Sequence, residues 1–197
     1  QNAVMEFLLI NHPLDCPICD EAGECKLQDY AYKYSVGESR FVEEKVHKDK
    51  RVPLGPRVMF DGERCISCSR CIRFCDEIAK DPELTFVKRG DRVSIVTYPG
   101  EEMDNPYSMN TIDICPVGAL TAKPSRFKFR AWELIQHSFV SYHDCVGSNL
   151  HVHVFRDKVI RVVPKRNELI NESWISDRDR FSYEGLYSID RVKCPMV

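Results

Sequence analysis

The chain has 197 residues, 28 basic and 30 acidic side chains, and a formal charge of −2, so no single-sign field marks it for nucleic acid or a lipid surface. Its longest purely apolar runs are only about four residues, as at Phe7-Leu8-Leu9-Ile10, against the roughly 20 that a membrane-spanning helix needs. Nothing near Gln1 has the form of a signal peptide, and a start without methionine is expected of a fragment. The length suits one to three small domains.

In chain order, residues 2–11 carry apolar side chains at Val4, Met5, Phe7, Leu8 and Leu9, which predicts a packed helix. His12-Pro13 should end it, because proline disfavours helix in the residue before it. A second helix is expected to open after Gly23. Residues 48–57, charged and holding two prolines and a glycine, read as a linker or meander. Helix should return after Cys68, with Ile72, Cys75, Ile78 and Ala79 on one face. Residues 84–98 alternate around Gly90 and predict a β-hairpin, and 149–165 repeat that design around Arg156-Asp157-Lys158. The expected class is α+β, in three small consecutive modules, 1–40, 41–130 and 131–197.

Ten cysteines are present, about one residue in twenty, well above ordinary usage. Seven fall in two tight groups, at 16, 19, 25 and at 65, 68, 71, 75, while Cys115, Cys145 and Cys194 stand alone. Two thiols of a C-x-x-C cannot easily staple a fold, but they can share a metal. A reducing compartment and metal ligation therefore fit better than a disulfide scaffold.

The run Cys65-x2-Cys68-x2-Cys71-x3-Cys75 is followed forty residues later by Cys115-Pro116. Bacterial ferredoxins use C-x2-C-x2-C for three corners of a [4Fe–4S] cube and a distant Cys-Pro for the fourth. Zinc would want two C-x-x-C pairs rather than a crowded triple. Cys75 is either a buried relic of a lost second cluster or a competitor of Cys115. The first group, His12-x3-Cys16-x2-Cys19-x5-Cys25, offers four ligands on one short loop held by Pro13 and Pro17. A Cys3His zinc site, a pair of reducible thiols and a second iron–sulfur site are its three readings. The company of the other group favours the last.

The strings "MEFLLINHPLDCPICDEAGECKLQD", "RCISCSRCIRF", "DICPVGALT" and "WISDRDRFSYEGL" together resemble the large iron–sulfur subunit of respiratory complex I, the NADH:quinone oxidoreductase. The resemblance runs from end to end. It implies a His(Cys)3 [4Fe–4S] cluster on His12, Cys16, Cys19 and Cys25, and an all-cysteine [4Fe–4S] cluster on Cys65, Cys68, Cys71 and Cys115. It implies three modules: a His(Cys)3 loop-helix module, a ferredoxin-like domain keeping one cluster, and a small β-rich domain like the Fe–S domain of molybdopterin oxidoreductases. A [2Fe–2S] cluster is expected only in a part preceding this chain, and a molybdopterin-oxidoreductase-like domain in a part following it.

Implied partners are the flavin-bearing, NADH-oxidising subunit and downstream iron–sulfur subunits of the peripheral arm, with no nucleic acid and no membrane span. The implied location is the cytoplasmic face of a bacterial inner membrane, or the matrix side in mitochondria. Iron hydrogenases and NAD-linked formate dehydrogenases share the cluster arrangement and form the alternative hosts; a zinc-stabilised structural module is the alternative without electron transfer. No dinucleotide or Walker loop is possible, because no two of the nine glycines lie close enough together. Substrate chemistry on this chain alone is not expected.

The last module departs from the family's ligand pattern. Aligned on it, Ser141, Asp144, Ser148 and Ser176 take the four ligand positions, so a third cluster is not expected there. A metal-free scaffold held by its hairpin and by Trp174, Phe181 and Tyr183 is expected instead. Cys145 lies one place off register. Cys194-Pro195 imitates a ferredoxin ligand without partners and reads as a lone structural cysteine. His151 and His153 share one strand face, which could suit zinc but is expected to be a solvated face.

Overall fold

The computed structural model describes residues 1–35, 37–192 and 194; Pro195, the second half of the Cys194-Pro195 pair, lies outside them. Two compact units are present, Gln1–Glu133 and Leu134–Val197. Among the described residues, no helix is long and apolar enough to cross a membrane.

Helix α1 spans Asn2–Leu9 and stops short of His12-Pro13. The Lys45 ammonium closes its end by donating to the carbonyls of Leu9 (2.9 Å) and Ile10 (2.7 Å), the terminal groups a helix leaves unpaired. Its packing is thinner than the sequence predicts. Only Met5 is buried, while Phe7 is 78% exposed, because apolar residues ring this helix and one side alone meets the fold.

Helix α2, Lys26–Tyr34, opens after Gly23 as expected, with Cys25 as its N-cap. The supposed linker contains strand β1, Val52–Pro53, which pairs with β2, Val58–Phe60. Proline is tolerated there because β1 is an edge strand.

The helix after Cys68 is shorter and differently phased than the periodicity implies. Helix α3 covers Arg70–Arg73, and one π-helical turn follows at Phe74–Ile78. Ala79 N–H bonds to the carbonyl of Phe74, five residues back. The widened turn rotates the buried face onto Cys71, Phe74 and Cys75, leaving Ile78 50% exposed. The first hairpin forms as predicted, β3 (Leu84–Val87) against β4 (Ser94–Thr97). Helix α4, Asn110–Asp113, then leads through Cys115 into β5, Leu120–Ala122.

In the second unit, β6 (Ile135–Val140), β7 (Asn149–Phe155) and β8 (Lys158–Pro164) form an antiparallel sheet in that order. The β7–β8 hairpin is the one the alternation predicts; β6 is an addition to it. Arg156 and Asp157 both take positive φ (50° and 61°) at the turn, the conformation that matches hairpin twist. The core is Leu150, Val162 and Ile175, with Val152, Val159 and Tyr183 packed against it. Tyr183 serves as foreseen, and Ile175 joins this core, while Trp174 and Phe181 are half-buried. Helix α5, Asp177–Phe181, is capped by Ser176.

Candidate metal centres

Strand pairing assembles the second cysteine set. β2 and β5 run antiparallel with Phe60 opposite Leu120. Cys65 lies five residues beyond Phe60 and Cys115 five before Leu120, so an antiparallel register delivers both to the same end of the ladder. Between the clustered cysteines, Ser67 (φ 55°) and Ser69 (φ 62°) adopt left-handed backbone. Non-glycine residues reach that region at a cost, and here it turns the chain tightly enough to keep successive thiols together.

Cys65, Cys68, Cys71 and Cys115 all line one cavity, walled by Phe60, Ile95, Val117 and Leu120. Cys75 does not line it. It is wholly buried, and its thiol is pushed up to about 12 by burial, then by Glu83 and Asp81. Burial also pushes Cys71 and Cys115 to about 12, and backbone N–H groups of Val117 and Leu120 oppose it at Cys115. Such thiols release their protons only to a strong competitor such as a metal.

The first set is built on one loop. Cys16–Ile18 forms a 3₁₀ turn with Pro17 at its start, and Cys25 accepts from Gln28 N–H at 3.4 Å. Burial brings His12 down to about 4, so its imidazole is neutral near pH 7. Its Nδ1 is buried and, among the described residues, has no hydrogen-bond partner, a cost that a bonded metal would remove. Burial pushes Cys19 up to about 11, opposed by Arg64.

A buried clamp joins the two ligand loops. Arg64, immediately before Cys65, binds Asp15, immediately before Cys16, through Nε (3.2 Å) and Nη2 (2.6 Å). Burial alone would raise Asp15, but Arg64 and Lys50 hold its carboxyl below the ordinary range. The sets also touch at the other side. Cys25 Sγ lies 3.9 Å from the Pro116 carbonyl, and a Cβ on Gly118 would fall inside the contact shell of Cys19 Sγ. From below, the Arg130 guanidinium donates to the carbonyls of Cys19 (2.7 Å) and Pro17. The donor sets, three thiols with an orphaned imidazole and four thiols on an apolar cavity, fit iron–sulfur ligation. Among the described residues, no three His, Cys, Asp or Glu side chains converge on a point for one ion.

In the second unit the four aligned positions form a polar network. Ser141 donates to Asp179 Oδ1 (2.7 Å) and Ser176 to Asp179 Oδ2 (2.5 Å). Asp144 receives the N–H groups of Gly147 and Ser148, and Ser141 N–H bonds to the Ser148 carbonyl. Asp179 is the residue that the sequence reading missed; its signal was the Ser-x-x-Asp start of α5, a helix-capping pattern. Asp179→Ala should strand the buried Ser141 hydroxyl and the half-buried Ser176 hydroxyl and destabilise the unit by about 2 kcal/mol, read as a lower denaturant midpoint.

His153 is no solvated residue: it is buried, with Nε2 3.1 Å from Gln136 and Nδ1 accepting from Arg161 at 3.0 Å. Cys145 and Cys194 are exposed.

Three family models match the chain. One described as "NADH-ubiquinone oxidoreductase-G iron-sulfur binding region" covers residues 1–40. "NADH-quinone oxidoreductase subunit 3, ferredoxin-like domain" covers 55–121. "NADH-ubiquinone oxidoreductase NDSU1/NuoG-like, 4Fe-4S domain" covers 137–184.

Among curated relatives, the G subunit of NADH-quinone oxidoreductase from Rickettsia felis is 50% identical over 198 residues, covering 100% of this chain and 29% of its own length. The mitochondrial NADH dehydrogenase [ubiquinone] iron-sulfur protein 1 of Solanum tuberosum is 48% identical over 198 residues, again across 100% of this chain and 26% of its own length. The chain thus spans between a quarter and a third of the relatives it matches. A crystal structure of NAD+-reducing [NiFe]-hydrogenase in the H2-reduced state superposes with a TM-score of 0.54 at 27% identity, over 65% of this chain and 56% of that one. Matched from end to end at about half identity, the chain belongs to the family of the large iron–sulfur subunit of NADH-quinone oxidoreductase, the G subunit of bacteria and the 75 kDa subunit of mitochondria.

Proposed function

We propose that this chain relays electrons between two [4Fe–4S] sites, one held by His12, Cys16, Cys19 and Cys25, the other by Cys65, Cys68, Cys71 and Cys115. One observation carries the reading: cysteines from two distant segments line a single apolar cavity whose Cys115 end is in contact with the first loop. Bound there, the clusters supply one-electron transfer. The chain's own residues do the rest. Phe60, Ile95, Val117 and Leu120 exclude water from the cavity, and Asp15–Arg64 fixes the spacing of the loops. With every ligand drawn from protein, no coordination position is left for a substrate.

The modules are 1–40, 41–130 and 131–197, the last without a cluster of its own. In the whole enzyme the chain passes electrons from a flavin-bearing, NADH-oxidising subunit towards quinone, in the peripheral arm of complex I. The [2Fe–2S] cluster belongs to a part outside this chain. The arm faces the bacterial cytoplasm or the mitochondrial matrix. The hydrogenase likeness favours a second host, but 27% identity over part of the chain weighs less than 50% over all of it.

His12→Ala tests the first site. One of two cluster signals in electron paramagnetic resonance should vanish or shift, and the other should persist. Two unchanged spectra would remove His12 from the ligand set.

A further inference from the structure

A pocket of about 550 Å³ opens beside the first cysteine loop, a size that suits a small ligand. Lys50, Arg51, Arg64, Arg126, Lys128 and Arg130 line it, against only Asp61 and Glu133. That excess of cations is local, since the whole chain carries −2. Part of it is spent: Lys50 lies 2.8 Å from Glu63, Arg64 binds Asp15, and Arg130 holds two carbonyls.

Two donors are not spent. Arg64 is 3% exposed, and its Nη1 has no hydrogen-bond partner; Arg126 Nε is likewise buried and unpartnered among the described residues. Burial, then the charge of Arg64, lowers Arg126 from its ordinary value, with Asp61 and Asp20 opposing the shift. The guanidinium of Arg126 lies 4.5 Å from the Phe127 ring centre, which holds it in place. Buried polar groups are ordinarily satisfied, so these donors call for an acceptor from outside the chain.

We infer that this pocket binds a multivalent phosphate-class oxyanion, seated between Arg64 and Arg126 with Arg51 and Lys128 around it. The cations come from three separate segments, at 50–51, 64 and 126–130. A tetrahedral polyanion accepts from several directions at once, whereas a carboxylate offers one planar face. The site adjoins the carbonyls of Pro17 and Cys19 through Arg130, yet it needs no cluster to bind, so it stands or falls apart from the electron-relay reading.

The test is isothermal titration of the 197-residue chain with pyrophosphate and, at equal ionic strength, with succinate. Pyrophosphate should bind at least ~10-fold more tightly than succinate, and Arg126→Gln should weaken it by ~10-fold or more. Lys128→Gln, at an exposed position, should weaken it several-fold without touching the fold, which a thermal melt verifies. No pyrophosphate binding at ~1 mM, equal binding of succinate, or unchanged affinity in both variants would overturn the assignment.

Discussion

Cys115→Ser is expected to halve the iron content of the reconstituted chain, from about eight atoms to about four, while Cys75→Ala keeps all of it. The two cysteines differ in position, not in acidity. Both thiols are pushed to about 12 by burial. Cys115, however, lines the cavity with Cys65, Cys68 and Cys71, and Cys75 does not. The π-helical turn at Phe74–Ile78 sets Cys75 into the core beside Phe74, where Glu83 and Asp81 are the charged neighbours that act on it. Losing its sulfur should cost about 1 kcal/mol of packing and leave both spectra intact. Serine in place of Cys115 keeps the volume but removes the thiolate. Iron analysis and paramagnetic resonance of the two variants decide the matter. A chain that keeps its iron as Cys115→Ser and loses half as Cys75→Ala would reverse the ligand assignment.

Gly118→Ala should disturb the first ligand set from a residue of the second segment. A methyl group there would press on Cys19 Sγ and lie 3.0 Å from Glu21 Cβ. The backbone conformation of Gly118 is not left-handed, so the penalty is steric crowding alone, about 1–3 kcal/mol for overpacking. The signal that His12→Ala removes should shift or broaden in Gly118→Ala. Gly185→Ala, with nothing within 4 Å of the added carbon, is the control and should behave as the unaltered chain. Unchanged spectra and stability in Gly118→Ala would mean that the two segments do not hold this contact.

Local chemistry was legible in the residues themselves. The stop before His12-Pro13, the helix after Gly23 and both hairpins follow from proline sterics, glycine freedom and period-two alternation over a few residues. The donor types and their spacing likewise pointed to iron–sulfur chemistry before any coordinates. Sequence reasoning failed where a pattern had to be carried through an irregular turn. Ile72, Cys75, Ile78 and Ala79 share a face only in an unbroken α-helix, and the π turn rotates it.

What the sequence by itself determined is the set of candidate ligands on offer; what only the tertiary structure decided is which of these side chains come near one another. Cys65 and Cys115 are joined by the antiparallel register of Phe60 with Leu120, a pairing sixty residues apart that no local period encodes. The proximity of Cys19 to Gly118 and the bond between Asp15 and Arg64 are of the same kind. Each depends on two segments that the chain must first bring together. In the second unit the sequence told that thiolates were missing from Ser141, Asp144, Ser148 and Ser176. Only the fold showed that the Asp179 carboxylate receives two of those hydroxyls. The physical reason is common to all these cases: caps, turns and alternation depend on neighbours within a few residues, whereas burial and partner choice are settled by packing across the whole unit.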